Sequence, residues 1–86
     1  MDFTVREENY TLVVEYLQND MKRQVAEAYR QCRIARNLTQ AELAEKSGVA
    51  RPNISRFESG TYNPSLDMLV RLAYAMDMKL ELKLGQ

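Results

Sequence analysis

The stretch LTQAELAEKSGVARPNISRFESG, residues 38–60, decides the fold. Within it Thr39-Gln40-Ala41-Glu42 is a capping box, in which the Thr39 hydroxyl and the Glu42 carboxylate satisfy each other's orphan backbone donors, and Leu38 and Leu43 flank it as a hydrophobic staple. A helix therefore starts at Gln40. It runs only to about Ser47, because Gly48 is placed for the left-handed residue that follows a helix end. Val49 leads into a second short helix, Arg51 to Ser59, where Pro52 is tolerable because first-turn amides have no intrahelical partner to lose. Gly60 ends it.

Two short helices joined by Lys46-Ser47-Gly48-Val49 have the scale of a helix-turn-helix, whose first helix lies across a DNA backbone and whose second enters the major groove. At about 100° per residue, the second helix carries Arg51, Pro52, Ser55 and Arg56 on one side and Ile54 and Phe57 on the other. The apolar pair anchors the helix and the polar stripe faces outward.

Upstream, Asn19-Asp20 reads as a break with Asp20 as N-cap. After it Met21, Val25, Ala28, Cys32 and Ala35 recur at helical spacing, predicting a long amphipathic helix that ends near Asn37, a residue that tolerates the left-handed conformation. Earlier still, Tyr10, Val13, Val14 and Leu17 fit a helix while Tyr10, Leu12, Val14 and Tyr16 fit a strand face. Helix is the reading adopted, and Asp2 to Arg6 is either a short strand or an arm. Downstream of the loop Thr61-Tyr62-Asn63-Pro64, Ser65 caps a further helix whose Leu66, Leu69, Leu72, Ala73 and Met76 share a face. Finally Met78, Leu80, Leu82 and Leu84 alternate with Lys79, Glu81 and Lys83, the period of a strand with one buried face. A lone strand lacks a ladder partner, so the expected one is the same segment of a second copy, antiparallel about a twofold axis, or else Asp2 to Arg6.

With 86 residues the chain has one modest core, and 45% apolar with 28% charged residues is ordinary for a globular fold. No apolar run suffices to span a bilayer, and the acidic start Met1-Asp2-Phe3 lacks a signal peptide's basic region, so a cytoplasmic protein without membrane contact is expected. Cys32 is the single cysteine and histidine is absent, which argues against a disulfide or a metal centre; no cofactor is expected. With no Gly-rich phosphate loop and no nucleophile–base pair, an enzyme is not expected either. The net charge of zero is unevenly spread. Residues 1–29 hold three basic and six acidic groups, residues 30–63 six basic and three acidic. The middle suits phosphates, and the acidic N-terminus suits a basic partner.

Leu38-Thr39-Gln40-Ala41-Glu42-Leu43-Ala44, Gly48-Val49, Ile54-Ser55-Arg56-Phe57-Glu58-Ser59-Gly60 and Pro64-Ser65-Leu66, taken together, resemble the XRE or lambda-type repressor family over roughly Tyr29 to Met76. The resemblance implies base reading by the positions of Arg51, Pro52 and Arg56, and Ser55, on the same outward stripe, is expected to join them. It also implies phosphate contacts from Gln40 and Asn53 and a structural ion pair between Arg33 and Glu58; Tyr62 and Asn63, in the loop that follows, are further candidates for phosphate contact, with an ordinary loop as the alternative. Ala50 stands where the family usually has a Ser or Thr N-cap, and Pro52 replaces a residue that commonly donates to a base, which leaves sequence reading chiefly to Arg51 and Arg56.

The expected fold is all-α, a lambda-repressor-like helix-turn-helix bundle of four to five helices plus a C-terminal β-strand paired across a dimer through Met78, Leu80, Leu82 and Leu84. The expected divisions are an N-terminal extension at 1–20, the DNA-binding domain at 21–77 and the dimerisation strand at 78–86. The expected function is transcriptional repression by a homodimer on a pseudo-palindromic double-stranded operator. The size and terminal strand also resemble HipB- and HigA-type antitoxins, which implies autorepression and a basic toxin held by the acidic N-terminal segment. A stand-alone repressor, or a protein-binding module without DNA affinity, are the alternatives.

Overall fold

The structure is a computed structural model that describes residues 3–85, with side chains from Asn9 onward. Four helices and no strand are formed among the described residues: α1 Phe3–Ala35, α2 Gln40–Ser47, α3 Arg51–Glu58 and α4 Leu66–Ala75.

The capping chemistry lies where the sequence puts it. Thr39 Oγ1 accepts from the Glu42 amide at 3.0 Å and Glu42 Oε1 from the Thr39 amide at 3.0 Å, while Gly48 at φ 74° sends its N–H to the Ala44 carbonyl. Ser65 accepts from the Met68 amide at 3.1 Å to open α4. Ala50 has no side-chain cap, as its methyl dictates, and α3 begins with Pro52 in its first turn. Asn37, at φ 57°, ends α1 with the Leu38 amide bonded back to the Arg33 carbonyl at 3.1 Å. Asp77 does the same for α4, also at φ 57°, with the Met78 amide on the Ala73 carbonyl at 2.9 Å.

Phe57, Leu43, Ile54, Leu72 and Met76 are the largest fully buried side chains, joined in the core by Ala26 and Met68. α2 packs on both α3 and α4, and α1 crosses α3. Just past α3, Gly60 stands at φ 86°, where a Cβ would meet the Arg23 Cα at an ordinary contact distance of 3.6 Å, so it is the left-handed conformation that suits glycine there. Tyr29 meets the Phe57 ring edge-on, centroids 5.3 Å apart, and donates its hydroxyl to the Leu69 carbonyl at 2.9 Å. Burial, and next the neighbouring Cys32, push the Tyr29 phenol above its ordinary value.

Three expectations are corrected. The break at Asn19-Asp20 does not occur. No glycine or proline lies between residues 3 and 35, and Asp20 accepts from Gln24 at 2.6 Å and pairs with Arg23 at 3.7 Å, so the capping group serves a helix surface instead. The core face of α1 is also rotated from the expected stripe: Ala26 is buried and Val25, Tyr29 and Cys32 pack on the core, while Met21, Ala28 and Ala35 are exposed. On α4 it is Met68 that is buried and Leu66 that is 65% exposed.

The C-terminal strand expected at residues 78–86 is not formed in this single chain over residues 78–85. Met78 and Leu80 line a cavity with Ala28, Tyr29 and Cys32, and Leu82 lines a groove with Val14, Leu17 and Met21, so the tail runs back along α1. A helix offers a neighbouring segment no free ladder, and beyond Met78 the tail backbone finds no hydrogen-bond partner among the described residues. Asp2 to Arg6, the other partner considered, starts outside the described residues and lies inside α1 from Phe3.

The long axis of 54 Å follows from α1, whose 33 residues extend about 50 Å at 1.5 Å per residue. Its first half overhangs the bundle and exposes Tyr10, Leu12, Val13, Tyr16 and Leu17. Among the described residues no helix is long and apolar enough to cross a membrane.

Candidate nucleic-acid interface

α3 divides by its winding. Ile54, 0% exposed, and Phe57, 1% exposed, face the core. Arg51, Pro52, Ser55 and Arg56 all face solvent. Arg56 Nη1 donates to Asn53 Oδ1 at 3.3 Å, one helical turn back, which draws the guanidinium along the helix surface. Arg51 makes no ion pair among the described residues, and neither does Arg36 beyond the end of α1.

Beneath this surface a polar cluster ties three helices together. Arg33 Nε donates to Glu58 Oε2 at 2.7 Å and Nη2 to Oε1 at 2.9 Å, a bidentate pair with little exposure on either side. Arg33 Nη1 also donates to the Leu38 carbonyl at 2.8 Å, which clamps the turn into α2. Gln40 Nε2 donates to Glu58 Oε1 at 3.1 Å. Burial alone would raise the Glu58 carboxyl; the hydrogen bonds from Arg33 and Gln40 and the guanidinium charge outweigh it and hold the group below its ordinary value. The bond to Glu58 pushes Arg33 upward despite burial. Glu42, at the α2 cap, is lowered by the Thr39 amide and then by the Thr39 hydroxyl.

The remaining residues expected at phosphates are not all together. Asn53 and Tyr62 line one concavity with the turn residues Gly48, Val49 and Ala50. Asn63 lies elsewhere, in the groove with Pro64, Leu17 and Met21 under the overhang of α1. Arg71 was not among the residues singled out. It lines the concavity with Asn53 and Tyr62, and bonds Asp67 Oδ2 through Nε at 2.8 Å. The Asp67/Arg71 spacing of four was the available signal, but it is also the spacing of any solvated helix pair. Gln40 is half-buried, with part of its amide committed to Glu58. Met78, Leu80, Leu82 and Leu84 are spread along the tail, with Leu82 and Leu84 the most exposed.

The profile of a family described as helix-turn-helix matches residues 30–82. An uncharacterized HTH-type transcriptional regulator of Sinorhizobium fredii is 36% identical over 58 residues, 67% of this chain and 30% of that protein. An immunity repressor protein of Bacillus phage phi105 is 34% identical over 62 residues, 72% of this chain and 43% of that protein. Antitoxin HigA1 of Mycobacterium tuberculosis is 43% identical over 47 residues, 55% of this chain and 32% of that protein. The chain thus spans less than half the length of each of these three relatives. No solved structure gives a significant match.

Proposed function

The chain belongs to the helix-turn-helix family, and on that footing we propose that it is a sequence-specific repressor of transcription, working in the cytoplasm as a dimer on a pseudo-palindromic double-stranded operator. The division of α3 carries this reading: a buried Ile54 and Phe57 hold the helix while Arg51, Pro52, Ser55 and Arg56 stand outward at fixed spacing. Arg51 and Arg56 read guanine edges, Pro52 and Ser55 make the adjoining contacts, and Gln40, Asn53 and Tyr62 hold backbone phosphates. Selection from a random duplex library should return one motif of two inverted half-sites. On that duplex Arg51→Ala and Arg56→Ala should each cost about 1–3 kcal/mol and relax specificity at one base position. Equal losses on random DNA would reassign the arginines to phosphates, and failure to enrich any motif sinks the reading.

The dimer is joined through the tail, whose Met78, Leu80, Leu82 and Leu84 form a ladder with the same segment of a second copy. The unpaired tail backbone and the exposure of Leu82 and Leu84 support this. Two recognition helices would then lie about 34 Å apart, one DNA turn.

A second reading adds an antitoxin role, in which the overhang of α1 holds a basic toxin. Its exposed Tyr10, Val13, Leu17 and Met21, flanked by Glu15 and Asp20, favour it, as does the likeness to an antitoxin. Sedimentation and pull-down of the full chain, a chain ending at Asp77 and a chain starting at Asn19 separate the two surfaces. The tail truncation should be monomeric, and the N-terminal truncation should lose the partner while still binding operator. A dimer that survives loss of the tail, or a partner retained without residues 1–18, refutes the respective assignment.

A further inference from the structure

Glu58 lies on the helix that carries the outward arginines, yet one of its oxygens accepts from a side chain on α2. We propose that Glu58 is a positioning residue for the DNA backbone contact made by Gln40; this rests on the DNA-binding reading above. A carboxylate only accepts hydrogen bonds, so the 3.1 Å contact from Gln40 Nε2 to Glu58 Oε1 fixes which end of the Gln40 amide turns inward: the nitrogen. One N–H is consumed there, and the second has no partner among the described residues. A phosphate oxygen also only accepts, so it needs this second N–H and is repelled by the amide carbonyl.

Without Glu58 the amide is free to rotate, and half of its orientations present the wrong end. Arg33 holds Glu58 in turn through two hydrogen bonds, at 2.7 Å and 2.9 Å, so the carboxylate that aims Gln40 is itself fixed from α1. Because Glu58 shares α3 with Arg51 and Arg56, the backbone contact and the base-reading surface keep a set register.

Phosphate contact is independent of sequence, so a short random duplex at low salt is a sufficient probe. The cycle uses the full chain, Gln40→Ala, the paired replacement Arg33→Met with Glu58→Leu, and the triple variant. Replacing both members of a buried ion pair with apolar residues of similar volume commonly keeps a fold intact. Gln40→Ala should weaken binding about tenfold in the natural background, the size of one hydrogen bond to a charged acceptor. In the paired background it should cost only about fivefold, because half of the amide's orientations then present the wrong end and the contact's contribution is halved. A stability role alone would leave the Gln40→Ala penalty the same in both, and that result overturns the proposal. No penalty in the natural background overturns it as well, while absence of any duplex binding by the natural chain is instead failure of the DNA-binding reading. Side-chain amide NMR of the unmodified chain gives an independent check if the paired variant does not fold. One Nε2 proton of Gln40 should exchange slowly in the free protein, and the other should shift when duplex is added; two freely exchanging protons would refute the assignment.

Discussion

Phe57→Ala should lower the free energy of unfolding by about 3–5 kcal/mol. The ring is 1% exposed, meets Tyr29 edge-on at 5.3 Å, and shares the core with Leu43, Ile54 and Leu72. Its removal forfeits the transfer free energy of a full aromatic side chain and leaves a cavity among α1, α2 and α4 that their packing cannot readily close. It also forfeits the aromatic contact itself, worth about 0.5–1.5 kcal/mol beyond area. A small domain has about 5–15 kcal/mol in total, so much of the folded population near growth temperature is at stake. Urea titration followed by circular dichroism should show a midpoint far below that of the natural chain, with Phe57→Leu intermediate. An unchanged midpoint would mean that α3 is not anchored where the structure places it.

Glu58→Leu should cost a similar amount, about 3–5 kcal/mol, for a different reason. The substitution leaves the Arg33 guanidinium poorly exposed with only the Leu38 carbonyl to accept from it. Adding Arg33→Met should return most of the loss, because no uncompensated charge then remains. A double variant no more stable than Glu58→Leu would show that the pair contributes by something other than mutual neutralisation. The pair also sets an acid dependence. Glu58 is held below its ordinary value of 4.5 in the folded chain, so its contribution is present above that pH and is lost as pH falls through the lower, folded value. Glu42 works in the same direction from an exposed position. Stability should therefore decline below about pH 4.5, and less steeply in the Arg33→Met, Glu58→Leu double variant. Equal slopes would place the acid sensitivity in other carboxylates.

What could be read from the sequence is what is decided within a few residues. Thr39 with Glu42, Gly48, Ser65 and Asn37 each fix a helix end by a bond to a near neighbour, and each stands where it was expected. The α3 face was legible because Ile54 and Phe57 lie three apart on a short, anchored helix. Asp20 misled because its carboxylate serves a cap or a helix surface equally well, and only the absence of glycine and proline across residues 3–35 tips it to the second. Alternation from Met78 to Leu84 describes one face of a strand but supplies no ladder, which a single chain leaves unmet. The contact from Gln40 to Glu58 joins positions 18 residues apart and depends on how α2 settles on α3, so no local pattern announces it.

The uninterrupted α1 acts as an indexed shaft. With no glycine or proline from residue 3 to 35, nothing in it swivels, and whatever the overhang grips is fixed in azimuth as well as distance from the surface carrying Arg51 and Arg56. One residue inserted near Asn19 would lengthen the shaft by only about 1.5 Å yet turn its outer apolar stripe by about 100°, while seven would bring it nearly back into phase. Spacing along this helix is thus a matter of angular timing, and length polymorphism there would be tolerated only in steps close to whole turns.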